Sequence, residues 1–240
     1  IHRLVASEVI GNVLSGVWLW TEHSGSAMSS PSSSANSRGK SLSPLLIASE
    51  NDTPTALFGA LQGRLSDRVP TVRGACIAAL SKLLRSTREG KASKVTSVAA
   101  LGLSETLECE VGELLEILRT RATSDTNATV RRYAVVALGE VFLWSLTELT
   151  EFDLALLRDR CIDSSMMTRK AAAEALTALV STQQRCHLEE SIQQTWISAV
   201  LPLCLDSDGA CANACLEFAQ RLVLEPLLDV DSSGMIAVHK

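Results

Sequence analysis

An Asp that precedes an alanine-rich segment recurs four times along the chain, and this repeat limits the possible folds more than any other feature. In the three clearest copies an Arg follows six residues after the Asp, whereas the most divergent copy has Ala212 there. The copies are 67–73, 125–131, 163–169 and 206–212. Because each copy places an apolar stripe at the same offset, we expect a stack of equivalent helical units with a continuous core.

The spacing of the repeat indicates the kind of stack. Successive Asp residues are 58, 38 and 43 positions apart, and the last two values match the roughly 40–47-residue period of HEAT and armadillo repeats. The chain is 46% hydrophobic but only 4% aromatic, which is typical of closely packed Ala/Leu helices rather than of β-sandwiches. The sequence therefore predicts an all-α fold, an α-solenoid of HEAT-type helical repeats with a disordered Ser-rich loop.

The composition divides the chain into segments. Residues 1–23 predict an amphipathic helix of the array, and the ten serines among residues 24–43 predict a disordered linker. The repeat array is predicted over 44–228 with an irregular insertion at 86–110, followed by a tail at 229–240. Four helix pairs are predicted at 53–65 and 70–84, 111–123 and 128–146, 152–161 and 166–180, and 188–205 and 209–227.

The repeat register predicts where the second helix of each pair begins. Asn127, Ser165 and Asp208 stand two residues after the repeat Asp and are good N-cap residues. Thr150 and the Asp three residues later resemble a capping box, and Pro202 is expected to kink or end its helix.

The Arg of each copy lies early in a helix, where the helix dipole opposes a positive charge. We interpret the Asp and Arg positions as a structural ladder that links the loops of neighbouring repeats, and a row of phosphate contacts is the alternative. The ladder residues are Asp67, Arg73, Asp125, Arg131, Asp163 and Arg169. Ala212 replaces the Arg of the last copy, so the ladder is expected to fail there.

Other cations near the repeat start are candidates for contacts with nucleic acid, since Lys and Arg neutralise phosphates. These candidates are Arg132, Arg158, Arg160 and Lys170. The net charge of −5 shows no strongly basic module, but it does not exclude a locally basic surface. In the linker, Ser30 and Ser43 each precede a Pro and are possible phosphorylation sites.

Five of the seven cysteines occupy small or apolar positions of the repeat. This register favours packing in the core over a zinc cluster built from Cys211, Cys215 and the neighbouring pair Cys186 and His187. The sequence contains no recognisable catalytic motif and no apolar run long enough to cross a membrane. We therefore expect a non-enzymatic protein that has no metal, cofactor or small-molecule substrate.

Several longer strings resemble the D-type HEAT-repeat subunits of condensin, especially the D subunit of condensin II. They are Leu156 to Asp163 with Thr168 to Ala171 and Ala175-Leu176, then Ser66 to Arg73, and finally Trp196 to Pro202 with Ala214 to Phe218.

The resemblance implies a non-catalytic scaffold that binds the kleisin subunit and the other condensin II subunits, and DNA, in mitotic chromosome condensation. It also implies a location in the nucleus and on chromosomes. A transport or trafficking HEAT/armadillo adaptor that binds peptides on its concave face is the alternative.

Overall fold

The computed structural model describes residues 59–92, 98–145, 148–182 and 187–227. The predicted helix at 1–23, the linker at 24–43 with Ser30 and Ser43, and the tail at 229–240 lie outside these residues. Every regular element in the described ranges is helical. Residues 59–62 are helical. The elements that follow are α1 (Pro70–Ala92), α2 (Val98–Ser124), α3 (Ala128–Trp144), α4 (Glu151–Arg160), α5 (Met166–Ser181), α6 (Glu189–Val200), a 3₁₀ segment (Leu201–Leu205), α7 (Gly209–Ala219) and a π-helical segment (Gln220–Leu224).

The helices form two layers of an α-solenoid, as predicted. The first helices of successive pairs, α2, α4 and α6, contact one another in one layer, and α1, α3, α5 and α7 lie side by side in the other. Helices α2 and α3 pack together, as do α4 and α5, and α7 packs against the 3₁₀ segment that follows α6. Neighbouring units also contact one another, so a single core runs along the array. Its largest fully buried side chain is Phe142.

The prediction of an irregular insertion at 86–110 is wrong for the part of that range that the structure describes, because this part is helical. Helix α1 continues to Ala92 and α2 begins at Val98. Gly90 and Gly102 both lower helix propensity, but they do not interrupt the two helices.

The predicted helix ends are confirmed in the second half of the array. Thr150 and Asp153 form the complete capping box, in which each side chain accepts a hydrogen bond from the other residue's backbone N–H. Helix α6 ends at Val200, and Pro202 lies in the 3₁₀ segment that follows, because proline cannot continue the α-helical hydrogen-bond pattern.

No helix among the described residues is both long enough and apolar enough to cross a membrane.

Candidate functional site

The repeat Asp closes the turn that precedes each second helix. In all four copies its Oδ1 atom accepts a hydrogen bond from the backbone N–H two residues later, which is an Asx-type turn. The N···O distances are 2.9 Å at Asp67 and Val69, 3.0 Å at Asp125 and Asn127, 2.9 Å at Asp163 and Ser165, and 2.8 Å at Asp206 and Asp208.

The residue that follows the turn caps the helix in two of the three predicted cases. The side chain of Asn127 accepts hydrogen bonds from two N–H groups of the first turn of α3, and Asp208 does the same for α7. Ser165 occupies the N-cap position of α5, but its side chain makes no capping hydrogen bond. The predicted N-cap position of Ser165 is therefore confirmed, but the side chain does not supply the capping hydrogen bond that Asn127 and Asp208 make.

The Arg of one repeat binds the Asp of the next repeat through two hydrogen bonds, so the Asp–Arg ladder is present. Each guanidinium meets its carboxylate through Nε and Nη2, the bidentate geometry that makes this pair strong. The N···O distances are 2.8 and 2.8 Å for Arg73 and Asp125, 2.9 and 2.7 Å for Arg131 and Asp163, and 2.7 and 2.7 Å for Arg169 and Asp206.

The third nitrogen of each ladder guanidinium holds the loop of its own repeat. Nη1 donates to the backbone carbonyl of the Asp six residues earlier, at 2.8 Å for Arg73, 3.0 Å for Arg131 and 3.0 Å for Arg169. One side chain thus joins two consecutive loops, and the carboxylate offsets the unfavourable helix dipole.

Burial and ion pairing act in opposite directions on the ladder carboxyls. Desolvation raises the pKa of Asp125, but hydrogen bonds from Arg73 and from the N–H of Asn127 outweigh it, so the pKa lies below its ordinary value. The pKa of Asp163 is lowered in the same way, against desolvation, by Arg131 and a backbone N–H. The hydrogen bond from Arg169 is the largest effect on Asp206 and lowers its pKa.

Additional arginines approach the ladder carboxylates from the preceding helices. Arg160, one of the predicted nucleic-acid contacts, lies 3.0 Å from Asp163, and its side chain is only 21% exposed. Arg121 lies 3.8 Å from Asp125. Three acidic residues, Asp125, Asp159 and Asp163, line the groove beside Arg160 together with Arg131. Because Arg131 and Arg160 both pair with Asp163, neither guanidinium is free of a carboxylate partner.

The four predicted nucleic-acid contacts do not form one row. Arg158 and Arg160 belong to α4 in the layer of first helices, whereas Arg132 and Lys170 belong to α3 and α5 in the other layer. Arg158 is 56% exposed and lies 3.3 Å from Asp159.

Arg132 and Lys170 line the same groove on the layer of second helices, which we call the second-helix groove. The guanidinium of Arg132 lies over the ring of Tyr133, 4.2 Å from its centre. The groove is lined by Ala78, Ser81, Lys82 and Arg85 from α1, Arg132, Tyr133 and Val136 from α3, Met166, Met167, Lys170, Ala171 and Glu174 from α5, and Ala210 from α7.

Sequence reasoning missed two buried carboxylates and one rung of the ladder. Asp206 was recognised as a repeat start but not as the partner of Arg169. Asp153 accepts from Arg119 at 2.7 and 2.8 Å, and its place in the capping box concealed this second role.

Glu140 is the other missed carboxylate. It is 5% exposed and pairs with Arg85 at 2.7 Å and with Arg88 at 3.1 Å, which ties α3 to α1. The available signal was a lone charged residue inside the apolar run 134–144.

The cysteines of the repeat positions are free thiols, and their packing role is confirmed. Cys76, Cys161, Cys211 and Cys215 are buried, and Cys204 is half-buried. Burial raises the pKa of Cys161 and Cys215 to about 12, so these thiols stay protonated at neutral pH. The described residues contain no group of three or more His, Cys, Asp or Glu side chains that is arranged to hold a metal ion.

Comparison with known proteins supports the resemblance found in the sequence. The chain is 28% identical over 200 residues to the condensin-2 complex subunit D3-L of Xenopus laevis, which corresponds to 79% of this chain. The chain is similar to a condensin D-type HEAT-repeat subunit. The match covers only 13% of the length of that relative, and no protein-family model matches the chain.

Among solved structures, the chain is similar to a designed armadillo repeat protein in complex with a (KR)4 peptide. The identity is 17%, the TM-score is 0.47, and the match covers 70% of this chain and 68% of the designed one. The solenoid assignment depends instead on the two helix layers and on the repeated turns.

Proposed function

We propose that the chain is a non-catalytic HEAT-repeat scaffold section of a condensin II-type complex. The similarity to the condensin-2 D3-L subunit over 200 residues carries this proposal. The Asp–Arg ladder supports it, because bonds between consecutive loops hold successive repeats in a fixed relation, as a scaffold requires.

The proposed partners are the kleisin subunit and the other condensin II subunits, and the proposed location is the nucleus and the chromosome. We assign DNA binding to the assembled complex and to no particular cation of this chain. The reason is that the four predicted phosphate contacts lie in two separate layers, and Arg160 already pairs with a buried carboxylate.

The partner assignment is tested by capturing a tagged copy of the chain from mitotic extract and identifying the bound proteins by mass spectrometry. We expect the kleisin and the other condensin II subunits to be recovered. A matched control carries Ala137→Pro, which breaks α3 at a fully buried position, and should lose the specific partners while keeping any that bind unfolded protein.

Recovery of transport receptors or coat components without other condensin subunits would overturn this proposal in favour of the transport or trafficking adaptor.

A further inference from the structure

We propose that the second-helix groove is a docking site for an extended acidic peptide segment that carries a bulky apolar side chain. The proposal goes beyond the scaffold function and does not depend on the condensin assignment, because it is argued from the lining of the groove alone.

The groove is locally basic on a chain whose net charge is negative. Four cationic side chains line it, Lys82, Arg85, Arg132 and Lys170, and Glu174 is the one carboxylate in the lining. Arg85 also pairs with the buried Glu140 behind the groove. Glu174 is 4.0 Å from Lys170, and no described carboxylate forms an ion pair with Lys82 or Arg132. With 27 acidic and 22 basic residues in the whole chain, this surface has the opposite sign to the average, and it attracts an acidic partner.

Apolar side chains occupy the groove between these cations. Tyr133, Val136 and Met166 are half-buried, and Met167 is 44% exposed. Seven of the thirteen lining residues are apolar. Methionine adapts its shape to an incoming side chain, and aromatic, Met and Arg residues are those enriched where proteins bind one another.

The dimensions fit a short peptide. The groove crosses α1, α3 and α5, which lie side by side, and neighbouring packed helices are about 8–10 Å apart. The cations at its two ends are thus separated by roughly 20 Å, the reach of about six extended residues.

The same lining disfavours duplex DNA as the occupant. Protein–DNA interfaces are more polar and much more positively charged than protein–protein interfaces, and phosphates make no favourable contact with Met or Val side chains. A peptide satisfies both kinds of lining residue, since its carboxylates meet the cations and its apolar side chain meets Met166 and Met167.

The test begins with a random heptapeptide phage-display library panned against the immobilised 240-residue chain. We expect the selected peptides to carry acidic residues around a bulky apolar residue. A selected peptide is then labelled with fluorescein, and its affinity is measured by fluorescence anisotropy.

Paired variants separate the groove from general electrostatics. Arg132→Gln with Lys170→Gln removes two groove cations and should weaken binding about tenfold or more. The matched control, Arg158→Gln with Arg221→Gln, removes the same charge elsewhere, and Arg221 likewise lies over an aromatic ring, that of Phe218. The control should bind as the unmodified chain does, and thermal unfolding checks that all variants are folded.

A second pair tests the apolar contact. Met167→Gln should lower the affinity for the selected peptide. It should leave unchanged the affinity for a version of that peptide in which the apolar residue is replaced by Ser. Leu216→Gln is the control, because Leu216 is 51% exposed and lies outside the groove.

Each contrary result overturns the proposal. The first is selection of basic or neutral peptides, and the second is selection of peptides whose binding does not depend on the groove residues. The third is an equal loss of affinity in the groove pair and in its control pair. Binding of a short random-sequence DNA duplex that depends on Arg132 and Lys170, without peptide binding, would assign the groove to nucleic acid instead. The capture of condensin subunits from extract is an independent measurement. A failed peptide experiment would therefore overturn the docking site but not the proposed scaffold function.

Discussion

At the residue scale, a single carboxylate in each loop performs two tasks. Asp125 accepts the N–H of Asn127, which shapes its own turn, and it also receives the guanidinium of Arg73 from the preceding repeat. Its side chain is 0% exposed and that of Arg73 is 10% exposed. A buried charge of this kind is tolerated only because its partner neutralises it and hydrogen bonds occupy its oxygens.

We expect Asp125→Asn to lower the free energy of unfolding by about 3 kcal/mol, because it leaves the buried Arg73 without its counter-charge. The amide oxygen can still accept the turn hydrogen bond, so the loss reports the ion pair. Urea unfolding followed by circular dichroism measures it. The matched control is Asp159→Asn, since Asp159 is 55% exposed and should change the free energy by no more than about 0.5 kcal/mol. Equal effects of the two substitutions would contradict a special role for the rung.

The ladder also predicts how stability depends on pH. The pKa values of Asp125, Asp163 and Asp206 are lowered in the folded chain, so the unfolded chain binds protons more readily. The stabilisation is therefore complete above the unfolded pKa of about 3.9, and it is lost as the pH falls from there through the folded pKa values.

Unfolding midpoints measured from neutral to acidic pH test this dependence. We expect a smaller loss of stability below about pH 4 in Asp125→Asn than in the unmodified chain, because the variant lacks one of the titrating carboxyls. Parallel curves for the two proteins would show that this rung does not contribute.

At the element scale, close packing of the second helices depends on small side chains. A Cβ atom at Gly139 of α3 would lie 3.1 Å from the Cβ of Ala175 in α5. These two helices therefore approach closely at the centre of the array, and a larger side chain there must displace one of them.

We expect Gly139→Val to destabilise the chain by about 1–3 kcal/mol through overpacking. Gly112→Val is the matched control, because a Cβ at Gly112 meets nothing within 4 Å, and valine has a somewhat higher helix propensity than glycine. Thermal unfolding compares the two. A Gly139 variant as stable as its control would mean that α3 and α5 can separate without cost.

The lengths of α1 and α2 show where local patterns are least informative. Gly90, Gly102 and mixed polar residues weaken the helical pattern between 86 and 110, yet both helices extend into this range. A glycine lowers helix stability by only about 1 kcal/mol. This is too small to end a helix in which several other turns are already stabilised by packing.

At the scale of the whole molecule, the ladder couples repeats that would otherwise interact through apolar contacts alone. Three rungs join four consecutive loops, and the last of these loops supplies no ladder Arg because Ala212 occupies that position. In a repeat protein, stability is a sum of terms for each repeat and for each interface, so each rung contributes to one interface.

We expect Arg131→Gln to weaken the interface between the second and third of these loops and to broaden the unfolding transition, with a loss of about 1–3 kcal/mol. Hydrogen exchange measured by mass spectrometry should show the largest loss of protection in and around 161–169. Arg132→Gln is a control from the adjacent position, since Arg132 faces the second-helix groove. Uniform loss of protection along the chain, or the same change in both variants, would contradict coupling through individual rungs.

The sequence by itself determined the all-α class, the repeat register, most helix ends in the second half of the array and the packing role of the cysteines. These features depend on periodic apolar positions and on turn chemistry, which act within a few residues. The Asp and Arg of the ladder were also identified, because they recur at a constant offset.

Only the tertiary structure decided which side chains meet across repeats. The pairing of Arg169 with Asp206, the burial of Glu140 against Arg85, and the separation of Arg158 from Arg132 join or divide residues that are far apart in sequence. One-dimensional spacing places each cation on a helix, but the layer that it faces depends on how the helices stack. For that reason the four expected phosphate contacts divided between two layers, and the basic and apolar lining of the second-helix groove emerged only from the fold.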